Sequence, residues 1–328
     1  MKRIARIAVP AIAALAFSCS LFDYSGVVTD RHALVYGVSR YITSEPGGSY
    51  PNLSYPAFDA ADFAAMLAAE GYTVKSRWVD AGGDLYVDGS FVGPVDSHLG
   101  DAPTRDTLQN DLASLSGSMG STDEFVFYFS GHGMQNAEAT HEFFIPYGGV
   151  VEGPPGFYYG DEAGSVRDDD MGAFLTGSIA TPRRVVILDT CNSGGFIGNT
   201  LEVDTTPPTT STFWRPGFSL STVAKAIAAY ARFTTASSTG ISAYQAQVLS
   251  AAGSGESSYE DSGYAHGVMT YFLLQTAANG DLNGDGAVTV LEAFSLVKAG
   301  IEENWNAENP AAAFTPHVSG GAVDFVLF

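Results

Sequence analysis

The chain carries only two cysteines in 328 residues, Cys19 and Cys191. Two thiols cannot supply the disulfide framework of a small exported domain, so any fold here has to rest on an apolar core. Basic side chains are scarce too, 15 Lys and Arg against 36 Asp and Glu, for a formal charge of −21. Such a surface repels nucleic acid and anionic lipid, which argues against a nucleic-acid partner, and it suits cationic partners and calcium. Beyond the N-terminus no stretch reaches the roughly 18 consecutive apolar residues of a spanning helix. No internal repeat is found. What is present is a 45% apolar fraction and 37 glycines, the composition of a globular chain and not of an acidic disordered one.

The N-terminus stands apart. "MKRIAR" is basic, and "IAVPAIAALAF" is an apolar stretch followed by small residues. That is the pattern of a secretory signal over residues 1–18, with 19–31 as a tether to a folded domain at 32–328. "LAFSCS" resembles a bacterial lipobox, which implies lipidation of Cys19, export and a membrane anchor at the cell envelope. Ala16 and Phe17 depart from the usual pattern, and plain secretion or an uncleaved anchor are the alternatives. Removing the signal leaves 12 basic and 36 acidic side chains.

Along the body, apolar runs alternate with amphipathic stretches. Strands are expected at 32–41, 73–79, 124–130, 142–148, 183–190 and 247–253. Helices are expected at 57–72, at 104–115 with Thr104 as N-cap, at 167–175 and at 266–280. Residues 84–93 alternate around Asp88-Gly89, a two-residue hairpin signal. Strands alternating with helices point to an α/β fold with a mainly parallel sheet covered on both faces. Residues 197–240 are Thr/Pro-rich and read as an insertion.

Two buried strands end in polar, glycine-flanked sequences, "FSGHGMQ" and "DTCNSGG". In parallel sheets ligands bind beyond the carboxyl ends of the strands, so His132 and Cys191 would meet at one edge. A thiol beside an imidazole is the minimal nucleophile and base pair. The glycines around His132 let backbone approach a substrate and leave the Gly133 N–H free for an oxyanion. Either residue alone would read as part of the core; the two together, each after a buried strand, point to chemistry.

With these motifs and with "ALVYGVSRY", "FDAADFAAML" and "HGVMTYFLL", the chain resembles the caspase-like cysteine peptidases of clan CD, in their bacterial and metacaspase branch. The resemblance covers roughly residues 32–325. It implies an αβα sandwich around the sheet, His132 as general base or acid, Cys191 as nucleophile, an oxyanion hole from the Gly133 and Cys191 N–H groups, and no third triad residue. Asp189-Thr190-Cys191 is similar to the Asp-Ser-Cys of metacaspases. This implies that Asp189, with Asp59 from the first helix, lines a pocket for a substrate Arg or Lys. The implied partners are protein or peptide substrates with basic residues. Asp59 could instead serve its own helix. A gingipain- or legumain-type enzyme and a catalytically idle binding domain are the rival readings.

"DLNGDGAVTVLE" places Asp281, Asn283, Asp285, Thr289 and Glu292 at positions 1, 3, 5, 9 and 12 of an EF-hand loop, with Gly286 at 6 and the Ala287 carbonyl at 7. Calcium is the expected ion, and a single loop of this kind has a dissociation constant on the order of 10⁻⁴ M. "RDDD" resembles the acidic stretch that helps hold calcium in metacaspases, with Asp169 and Asp170 at the matching positions; their place in a first helical turn explains them equally well. Within 197–240, Arg215, Lys225 and Arg232 are candidate self-cleavage sites for an enzyme with an acidic pocket.

Overall fold

A computed structural model describes residues 28, 30–42, 50–135, 142–152, 158–160, 163–191, 193, 196, 246–253, 255–319 and 325–328. The signal, Cys19, most of the tether and the insertion at 197–240 with Arg215, Lys225 and Arg232 lie outside the described residues.

The centre is a parallel sheet built from the runs that read as buried. β1 (Arg31–Val38) pairs in parallel with β2 (Thr73–Val79) and with β5 (Glu124–Ser130). β5 pairs with β11 (Arg184–Asp189), and β11 with β12 (Ala246–Ser250), again in parallel. The hairpin of β3 (Asp84–Val87) and β4 (Ser90–Pro94) extends one edge antiparallel. Its turn residues Asp88 and Gly89 have φ of 47° and 76°, the left-handed pair that matches strand twist. β15 (His317–Val318) closes the other edge, antiparallel to β12, and no sequence signal marked it.

Both sheet faces are covered, because the central positions of β1, β5 and β11 are apolar on both sides of the sheet. Val35, Tyr128 and Ile187 face one layer, which holds α1 (Pro56–Ala69), α4 (Val268–Leu274) and α6 (Val290–Gly300). Tyr36, Phe127 and Leu188 face the opposite layer, which holds α2 (Arg105–Ser116) and α3 (Asp168–Ser178). The result is the expected αβα sandwich. Thr104 caps α2 by accepting the Thr107 N–H. Among the described residues no helix is long and apolar enough to cross a membrane.

Several short elements rim the carboxyl edge. β6 (Gly133–Gln135), β7 (Glu142–Phe144) and β10 (Val166–Arg167) form one antiparallel sheet, and β8 (Val150–Glu152) with β9 (Tyr158–Gly160) another. The run 266–280 differs from its sequence reading. His266 and Gly267 form β14, antiparallel to β13 (Glu260–Asp261), and the helix starts at Val268. After Gln275 a short α5 (Thr276–Asn279) follows. The strand wins at 266–267 because both residues bond to Asp59 of α1, a contact the local pattern cannot announce.

Candidate active site

Ser130 ends β5, Asp189 ends β11, and the two are register partners. His132 and Cys191 each follow two residues later, so strand pairing sets them side by side beyond the sheet edge. The two turns touch closely: a Cβ on Gly133 would collide with the Cys191 carbonyl oxygen and stand 2.8 Å from Thr190 Oγ1. Glycine is required there because of that approach.

The His132 ring is boxed by Tyr41 and Tyr50, each with its centroid 4.6 Å away. Its Nε2 lies 2.8 Å from the Pro51 carbonyl oxygen. A carbonyl only accepts, so Nε2 carries the proton and Nδ1 holds the lone pair. Burial pulls the pKa of His132 down to about 4, which keeps the ring neutral at physiological pH. Among the described residues the Pro51 carbonyl orients the ring with no third side chain, and no local pattern announces it. Ile145 donates to the His132 carbonyl. The alternation of an antiparallel ladder then leaves the Gly133 N–H outside its pair with Phe144.

Cys191 is partly exposed, and its Sγ lies 3.6 Å from the Ser258 carbonyl. A cleft of about 250 Å³ opens here, lined among others by His132, Cys191, Asp59, Asp189, Ser258 and Gly267. The structure thus brings four of the expected site side chains together.

The two carboxylates differ in what remains of them. Asp59 is fully buried and saturated: Oδ2 accepts from Ser130 Oγ at 2.7 Å, Oδ1 from His266 Nδ1 at 2.8 Å, and both oxygens from the Gly267 N–H. Asp189 Oδ2 accepts from the Thr270 N–H at 3.0 Å and its hydroxyl at 2.7 Å. Its Oδ1 has no hydrogen-bond partner among the described residues. Burial, then the nearby Asp59 charge, push Asp189 up to about 7. Burial also raises Asp59, against the His266 and Ser130 hydrogen bonds.

The loop at 281–292 turns in on itself. Asp281 accepts the N–H groups of Gly284, Asp285 and Gly286; Asn283 accepts that of Asp285, and Asp285 that of Ala287. Gly284 and Gly286 take φ of 79° and 90°, the tight turn that position 6 of such a loop needs. Glu292 is fully buried; one oxygen accepts from Leu282 and Asn283, the other from Thr289. Val288 pairs by backbone with Leu327 and Phe328. Donor types and loop shape fit an oxygen-bound cation. Among the described residues no three acidic, His or Cys groups yet converge as a metal cluster, so Glu292 would have to exchange loop N–H donors for the ion. Asp170 is engaged elsewhere, 2.8 Å from Arg105 and 3.3 Å from Arg167, while Asp169 is exposed on α3.

The caspase-domain family model matches residues 30–316. The chain belongs to the caspase-domain family. It is a family of cysteine peptidases, and the match spans both glycine-flanked turns and the parallel strands. Among solved structures, the crystal structure of protein GSU0716 from Geobacter sulfurreducens shares the fold at a TM-score of 0.52 and 16% identity, covering 90% of this chain and 95% of that one. No curated relative matches the sequence.

Proposed function

We propose that this caspase-domain protein is a cysteine endopeptidase that cuts after Arg or Lys. The observation that carries the reading is the meeting of His132 and Cys191 above a cleft whose floor offers a free oxygen of Asp189. Cys191 Sγ passes its proton to His132 Nδ1 and attacks the substrate carbonyl carbon. The oxyanion is held by the Gly133 and Cys191 N–H groups. Protonated His132 then gives its proton to the departing amine, and water hydrolyses the thioester with His132 again as base. A substrate cation on Asp189 makes a charged hydrogen bond of about 1.5–3 kcal/mol, whereas an acidic side chain would be rejected.

Calcium at 281–292 is part of the proposal, held by Asp281, Asn283, Asp285, Thr289, Glu292 and the Ala287 carbonyl; it would supply structural support and no step of the chemistry. Asp169 and Asp170 form a weaker candidate, since Asp170 is already paired with arginine. Lipidation at Cys19 would place the enzyme at the cell envelope.

The test is turnover of fluorogenic peptides with Arg, Lys or Asp at P1, the residue before the cut bond, with calcium and with chelator. Arg and Lys peptides should be cleaved and Asp peptides left intact. Activity in the Cys191→Ala protein, or a preference for Asp, overturns the reading.

A further inference from the structure

His266 is the one ring among the described residues set between two carboxylates of α1. Its Nδ1 lies 2.8 Å from Asp59 Oδ1 and its Nε2 3.4 Å from Asp62 Oδ2. An acceptor at each nitrogen is the arrangement that holds an imidazolium, because only the charged ring donates from both ends. The other acids nearby are spent elsewhere. Glu260 accepts the N–H groups of Ser54 and Tyr55, and Asp261 those of Gly263 and Tyr264.

The backbone is bent to place this ring. Ala265, just before it, has φ of 57°, a left-handed conformation that is strained for a non-glycine residue. Gly267, just after it, is where the two cleft carboxylates meet: a Cβ there would collide with Asp189 Oδ2 and stand 3.0 Å from Asp59 Oδ2. His266 therefore sits directly behind the floor of the cleft. It lies 207 positions from Asp59 in sequence.

We infer that His266 is a specificity-determining residue: its imidazolium neutralises Asp59, so that Asp189 Oδ1 alone meets the substrate cation. This deepens the basic-P1 reading and rests on it. The consequence is a deliberately moderated pocket. Two bare carboxylates would hold a guanidinium harder and release it more slowly; one neutralised pair and one open oxygen select a positive charge without trapping it. Protonation of His266 is favoured, against the cost of burial, by its bonds to Asp59 and by the Asp62 charge.

The experiment reads binding and needs no turnover. The full-length Cys191→Ala protein is titrated calorimetrically with a peptide ending in arginine amide and with its citrulline counterpart, the neutral isostere. The same is done with His266→Asn added, since the Asn amide reproduces the Nδ1 donor to Asp59 without the charge. The Arg-to-citrulline affinity ratio should rise about tenfold in the Asn variant, the scale of removing one like charge several ångströms away in a partly screened site. Asp62→Asn, an exposed change that threatens no core packing and leaves the bond from Nδ1 to Asp59, removes an attracting charge and should lower the ratio by a smaller factor. An Arg preference in the parent protein that neither substitution changes overturns the role of His266 and leaves basic specificity standing. Equal affinity for both peptides in the parent protein overturns basic specificity and this inference with it.

Discussion

The Tyr41 hydroxyl accepts the backbone N–H of His132 at 2.6 Å, and the same ring packs against the imidazole. Tyr41 is buried three residues after β1, so His132 is fixed by a residue from the neighbouring strand's end. Tyr41→Phe keeps the packing and deletes the acceptor. The unpaired N–H should cost about 1–3 kcal/mol of stability in a denaturant titration. kcat should fall roughly tenfold with KM little changed, since small misplacements of catalytic groups are costly. Unchanged kcat would mean that the Pro51 carbonyl orients His132 without help.

The buried Asp189 makes stability depend on pH in a specific direction. Its folded pKa, about 7, lies above the ordinary carboxylate value of 3.8. Between those values the folded state binds more protons than the unfolded one, so stability falls as pH rises through that window. Asp189→Asn removes the penalty and keeps an acceptor for Thr270. Its melting temperature should exceed that of the wild type at pH 8, with the gap closing toward pH 5. A constant difference across that range would show that Asp189 titrates normally.

The same ionisation should be visible in catalysis. For Arg peptides kcat/KM should climb between pH 6 and 8 as the Asp189 charge develops, while a neutral-P1 peptide should not show that limb. Parallel profiles for the two peptides would assign the limb to the dyad.

Gly133 and Gly267 make separable demands. Gly133→Ala pushes a methyl into the Cys191 carbonyl, so the two turns must part and activity toward every peptide should fall by 10²-fold or more, the scale of losing an aligned oxyanion donor. Gly267→Ala pushes a methyl against both carboxylates and should raise KM for basic peptides selectively. Equal loss for basic and neutral peptides in the Gly267 variant would place these carboxylates outside substrate recognition.

Glu292→Gln tests the calcium loop. Tenfold excess of calcium over its dissociation constant should stabilise the wild type by about 1.4 kcal/mol, and the variant should lose most of that shift. Identical shifts in both proteins would locate the ion elsewhere.

Much of this architecture is written locally. Short apolar runs rich in aromatics and bounded by glycine, such as Phe125–Phe129, read as strands buried on both faces, and Thr104 and Asp88-Gly89 mark a helix cap and a hairpin turn by chemistry that acts within three residues. His132 and Cys191 were legible for the same reason: each follows its strand at once, and parallel pairing puts strand ends together. Tertiary structure alone decided the rest. The Pro51 carbonyl behind His132, the His266 ring behind Asp59, and β15 against β12 join segments far apart in the chain. A hydrogen bond to a distant backbone or carboxylate leaves no periodicity in the sequence around it. His266 opens what reads as a helix, and it becomes a strand because a buried Asp59 must find donors and only the packing of α1 on β14 brings them within reach.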